Sequence, residues 1–133
     1  MGGTSKEFHY AIELTASGTL RTEDGATLDP PDAWTPEHLL LAAFVRCTLD
    51  SLRHHAGRAG SEVAVAAGSA TALVTRRESD GLHAVVEAEL TLDVKLEPRP
   101  EGDALAELLA KAERDCFVGA SLVAKPSYAW NVS

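Results

Sequence analysis

Apolar and polar residues alternate from Phe8 to Thr15, with Phe8, Tyr10, Ile12 and Leu14 on one side and His9, Ala11, Glu13 and Thr15 on the other. Period two is the signature of a half-buried strand. Ser17-Gly18 supplies a turn, Thr19 to Thr22 pairs back as a short second strand, and Glu23-Asp24-Gly25 is another turn signal. Asp29-Pro30-Pro31-Asp32 is an extended linker within the domain, because proline fixes φ and biases the preceding residue away from the helical region. Val63 to Arg77 and Leu82 to Leu96 read as two long antiparallel strands joined at Glu78-Ser79-Asp80-Gly81, with Gly68 as a bulge. A 15-residue strand spans roughly 50 Å at about 3.4 Å per residue, so it either bends or reaches onto a second subunit. Ser127 to Val132 closes the chain as a strand.

Between the strands the period changes. Thr35-Pro36-Glu37 is a helix start, with Thr35 as cap, Pro36 at the first helical position and Glu37 at the positive end of the macrodipole. This helix is expected to run to about Ala56. Its first half, Leu39 to Val45, is apolar on every face, which predicts a central, buried helix whose second half, with Asp50, Arg53, His54 and His55, emerges into water. Asp103 to Arg114 carries Leu105, Leu108, Leu109 and Ala112 at helical spacing and is a second, amphipathic helix. Asp115-Cys116 then caps a short third helix through Val123.

Composition narrows the possibilities. The chain has 133 residues, 45% hydrophobic and 24% charged, which suits one globular domain over residues 1–133 and argues against disorder. A net charge of −8 gives phosphate backbones no attraction, so nucleic acid is not an expected partner. No apolar run approaches the roughly 20 residues of a membrane span, and Met1 to Lys6 lack the apolar stretch of a leader. The expectation is a cytoplasmic protein with no membrane partner, cofactor or metal.

Cys47 and Cys116 are the only thiols, 69 residues apart, a spacing unlike disulfide scaffolds or paired zinc ligands. Cys47 lies on the first helix; Cys116 begins the third, close to exposed backbone N–H groups that favour a thiolate. Two inert core thiols remain an open alternative, since free cysteine often acts as a small hydrophobe. Arg46 adjoins Cys47, but consecutive helical residues point about 100° apart. His54 and His55 diverge on the helix and read as a solvated end rather than a metal pair. Trp34 and Trp130 read as packing anchors, and Phe44, one turn before Cys47, as core or pocket wall.

The segment Thr35-Pro36-Glu37-His38-Leu39-Leu40-Leu41-Ala42-Ala43-Phe44-Val45-Arg46-Cys47 resembles the helix motif of the osmotically inducible protein C and organic hydroperoxide resistance (OsmC/Ohr) family. There a Pro-Glu pair opens the helix and a cysteine follows ten residues after the Glu, as from Glu37 to Cys47. A second cysteine before a short helix and a last strand is also similar. The resemblance implies an α+β, OsmC-like fold: antiparallel sheets packed around a long central helix in an intertwined homodimer. It implies a thiol peroxidase for organic hydroperoxides, with Cys47 peroxidatic, Cys116 resolving, and a dithiol, lipoyl groups included, as reductant. It also implies a family arginine paired with the helix Glu, here Arg21 with Glu37, with the guanidinium holding the thiol ionised. The chain departs from the family at Arg46, where small residues are common, and at Phe117-Val118-Gly119, which replaces a Pro-containing run.

Helix geometry adds one inference. Ten residues separate Glu37 from Cys47 by about 15 Å along the axis, so if both serve one site, a second chain could supply one of them. A two-fold dimer packing two such helices together would do so. Two other classes stand beside the enzyme: a module binding a small hydrophobic ligand with unreactive thiols, and a structural or stress-response protein with buried thiols.

Overall fold

Turn chemistry organises the first of two compact units, residues 1–34 and 35–133, in the computed structural model, which describes residues 5–133. The Met1–Thr4 part of the run from which the lack of a leader is read lies outside the described residues. In the first unit β1 (Ile12–Leu14), β2 (Leu20–Thr22) and β3 (Thr27–Leu28) form an antiparallel sheet in the order β1-β2-β3. Gly18 and Gly25 both take φ of 90°, the left-handed region their turns demand. The strand expected over Phe8–Thr15 is shorter, because β2 ends at Thr22 opposite Ile12. Phe8, Tyr10, Ile12 and Leu14 are exposed rather than half-buried. Strands of two or three residues form too small a sheet to bury them.

The second unit starts with α1 (Pro36–Arg58). Thr35 caps it as expected: its side chain accepts the His38 N–H, and His38 Nδ1 accepts the Thr35 N–H at 3.2 Å. The burial along α1 differs from expectation. Phe44, Thr48, Leu52 and Ala56, each four residues from the last, form the buried stripe together with Ser51. Ala42 and Ala43 are exposed, and Leu39 to Leu41 only half-buried. The small and hydroxylated residues of the second half permit close packing on α2, so the polar-looking half lies inward.

β4 (Glu62–Arg76) and β5 (His83–Glu97) form the long antiparallel hairpin. Its register irregularities fall at Val63/Val65 and Leu73/Val74, not at Gly68. Gly68 pairs in register with Leu92, and a Cβ there would run into the Thr91 carbonyl, so its glycine serves close approach rather than a bulge. α2 (Gly102–Arg114) and α3 (Phe117–Ser121) precede β6 (Ser127–Val132). The sheet order is β4-β5-β6, and β6 runs parallel to β5, which corrects the expectation of purely antiparallel sheets. The two intervening helices form a crossover that returns the chain to enter the sheet in the same direction.

Alternate residues of β5, Ala88, Leu90, Leu92, Val94 and Leu96, join Leu52 and Ala56 of α1 and Leu108 and Ala112 of α2 in the core. Burial of each leucine contributes about 1.5–3 kcal/mol. This core supports the sulfur-bearing segments described next. No helix among the described residues is long and apolar enough to cross a membrane.

Candidate functional site

The helical stripe that buries Phe44, Thr48 and Leu52 places Cys47 at its margin, half-buried, while Cys116 is fully buried at the N-cap of α3. The two thiols are free and lie close enough for Cys116 to act on the ionisation of Cys47. The first turn of α3 faces both sulfurs. The backbone N–H groups of Val118 and Phe117 lie near enough to Cys47 to favour its thiolate, and the Gly119 N–H donates to Cys116 Sγ at 3.4 Å. Burial nevertheless pushes the Cys47 thiol up. The neighbouring Cys116 raises it further, while the Val118 and Phe117 N–H groups pull it down.

Cys116 sits in a polar cluster inside an otherwise apolar core. Thr48 Oγ1 lies 3.2 Å from its sulfur and donates to the Phe44 carbonyl at 2.9 Å. The Tyr128 hydroxyl, from β6, lies beside Cys116, and burial first, then this sulfur, drives the phenol well above its ordinary range. Phe44 and Tyr128 pack edge to face, with ring centroids 5.4 Å apart, which makes Phe44 core. Gly119 fits beneath them: a Cβ there would overlap Tyr128 Oη and lie 3.3 Å from Cys116 Sγ.

A polar seam extends this contact. Thr48, Ser51 and His55 follow at helical spacing on α1 and meet Cys116, the Ala112 carbonyl at 2.8 Å and Asp115 Oδ2 at 2.7 Å. Arg114 also grips Asp115, at 2.9 and 3.0 Å, and with His55 brings its carboxyl down to about 2. The solvated-end reading is therefore corrected for His55, which is only 13% exposed; His54 is exposed. The sequence reading missed Thr48, Ser51, His55, Asp115 and Tyr128. The i, i+3, i+7 spacing of three polar residues on one helix face was the available signal.

The other candidates are placed separately. Glu37 is exposed in the first turn of α1, and ten helical steps of about 1.5 Å keep it from Cys47 along that helix. Arg21, on β2 in the first unit, is held by Glu13 across the sheet, its Nε 2.6 Å from Oε1. Arg46 turns to Asp50 at 3.6 Å. Trp34 is half exposed, whereas Trp130 Nε1 donates to Glu113 at 2.8 Å and ties β6 to α2. Among the described residues no group of three or more His, Cys, Asp or Glu side chains could hold a metal ion. A cleft of about 810 Å³, with Val65, Leu105, Leu109, Trp130 and Val132 in its walls, includes neither cysteine in its lining.

With this fold and paired-thiol site, the chain belongs to the OsmC-like protein family, whose model matches residues 29–131. It is similar in structure to an OsmC-like protein of unknown function from Vibrio cholerae, with a TM-score of 0.74, 13% identity, and 93% of this chain and 99% of that one covered. It is also similar to an organic hydroperoxide resistance protein OsmC from Legionella pneumophila (TM-score 0.64, 17% identity, 97% and 99% covered). An organic hydroperoxide resistance protein from Elizabethkingia anophelis matches likewise (TM-score 0.64, 17% identity, 98% and 99% covered). At these identities the likeness is one of fold. No curated protein matches the chain.

Proposed function

We propose that this protein is a cytoplasmic thiol peroxidase that reduces organic hydroperoxides, with Cys47 as peroxidatic and Cys116 as resolving cysteine. The observation that carries this reading is the closeness of two free thiols 69 residues apart in sequence, near enough for Cys116 to raise the Cys47 thiol, the first half-buried and the second fully buried. The Cys47 thiolate attacks one peroxide oxygen: the S–O bond forms, the O–O bond breaks, and the departing alkoxide takes a proton to become the alcohol. Cys116 then attacks the sulfenic sulfur, forming the disulfide and releasing water. A dithiol of lipoyl type restores both thiols and is itself oxidised to a disulfide.

The Val118 and Phe117 N–H groups are suited to the negative charge on Cys47 before attack and to the developing sulfenate after it. They do not offset burial, which leaves the Cys47 thiol raised, so a nearby cation would favour its thiolate. The family resemblance nominates Arg21, which Glu13 holds within its own sheet, as that cation, with Glu37 as its family partner, in a protein that dimerises about α1. The exposed Ala42 and Ala43 and half-buried Leu39 to Leu41 support a partner helix at that face. Wild-type protein should lose one thiol equivalent at once on adding cumene hydroperoxide and the second with disulfide formation, and Cys47→Ser should not turn over. An unreactive Cys47 in the folded protein rejects the enzyme. The apolar walls of the 810 Å³ cleft would then favour the second reading, a binder of small hydrophobic ligands.

A further inference from the structure

The buried stripe of α1 reads Phe44, Thr48, Leu52, Ala56, and one member has a hydroxyl where valine would fill the same volume. Thr48 is completely buried, as is the sulfur it touches. A hydroxyl has one proton to donate. Here it goes to the Phe44 carbonyl at 2.9 Å, the back-bond common for threonine in helices. With that proton committed, the oxygen lone pair is left to accept the S–H of Cys116, whose Sγ lies 3.2 Å away. In this arrangement Thr48 suits the neutral thiol.

The resolving step needs Cys116 in its charged form, inside a core where an undersupplied charge is costly. The Gly119 N–H is fixed on the sulfur whichever form is present. Thr48 differs because rotation about a single C–O bond turns its proton from the Phe44 carbonyl to the sulfur. That carbonyl keeps its helical backbone bond, so little is lost at the other end.

We propose that Thr48 is a further catalytic residue, a rotating donor that accepts from the Cys116 thiol at rest and donates to its thiolate during disulfide formation. The inference rests on the peroxidase reading for its biological setting. As Cys116 attacks, the S–S bond forms, the S–O bond of oxidised Cys47 breaks, and the Cys116 proton ends in the released water. Thr48 exchanges no proton overall. It lowers the barrier by supplying a donor only when charge is present.

The test uses dithiobis(nitrobenzoate) on the full chain, with no peroxide. Attack by Cys47 releases one coloured nitrothiobenzoate; attack by Cys116 on the resulting mixed disulfide releases the second. Thr48→Val should slow the second release about tenfold or more, the usual scale for losing a hydrogen bond to a charged group, and leave the first within about twofold. Thr48→Ser should behave as wild type. If Thr48→Val does not fold, as judged by circular dichroism, Thr48→Ala against Thr48→Ser gives the same hydroxyl comparison. A second release unchanged in the hydroxyl-less variant, or equally slow in Thr48→Ser, overturns the proposal. Failure of cumene hydroperoxide to oxidise Cys47 while both releases keep this pattern rejects the peroxidase alone and upholds the Thr48 role.

Discussion

His55 Nε2 and Asp115 Oδ2 meet at 2.7 Å, joining the second half of α1 to the residue immediately before Cys116. The contact fixes the junction between α2 and α3 from the same helix that carries Cys47. His55→Ala should therefore leave the first oxidation of Cys47 unchanged and slow its capture by Cys116, so that sulfinic acid accumulates. His55→Gln, which keeps a donor, should recover part of the loss. Mass spectrometry of the oxidised products after a timed peroxide pulse checks both.

The same contact predicts an acid response. Arg114 first, and then His55, hold the Asp115 carboxyl down to about 2. A group depressed in the folded state contributes stability that is fully present above the unfolded carboxylate range near about 4 and is lost as pH falls through the folded value near 2. Asp115→Asn should narrow the stability difference between neutral pH and about pH 2, measured by urea unfolding at each pH.

Gly119 is a packing requirement. Gly119→Ala should destabilise the protein by about 1–3 kcal/mol, because the new methyl overlaps the Tyr128 hydroxyl beside Cys116. Removing that hydroxyl should make room, so Gly119→Ala with Tyr128→Phe should be more stable than the sum of the separate effects. Urea denaturation of the double-mutant cycle measures this coupling.

Burial raises the Cys47 thiol, so its thiolate fraction grows with pH and the proposed cation matters most at neutral pH. Arg21→Ala should lower the rate of reaction with hydroperoxide at pH 7 by at least about tenfold, with recovery as the solution is made alkaline. A stopped-flow pH profile that superimposes on wild type would remove Arg21 from the site.

The apolar face on the first half of α1 predicts self-association. Wild-type protein should be a dimer at micromolar concentration by light scattering, and Ala43→Glu should shift it to monomer without loss of helix content. The exposed Ala43 gives the glutamate room in the single chain, whereas a helix–helix seam would bury its charge.

Local chemistry made most elements legible in the sequence. Thr35-Pro36 marks the start of α1, alternation from Leu82 to Leu96 marks β5, and Cys116 stands at the cap of α3. Features set by packing between distant segments were hidden. Period two gives β6 as a strand but not its direction, which the α2–α3 crossover determines. Hydropathy makes Leu39 to Val45 look innermost, although Thr48, Ser51 and Ala56 are the buried positions, with Ser51 bonded to the Ala112 carbonyl of α2. His55 looks solvated because its partner Asp115 lies 60 positions away. The Pro-Glu to Cys spacing identified the cysteines, while the surroundings of Cys116 needed three elements, α1, α3 and β6, to converge.

Intact-mass measurement after a brief hydroperoxide pulse tests the central claim most directly. Wild-type protein should lose two hydrogens, the mark of a Cys47–Cys116 disulfide, and Cys116→Ser should instead gain oxygen on Cys47. Unchanged mass in both proteins, or the same oxygen addition in both, would contradict a two-cysteine peroxidase.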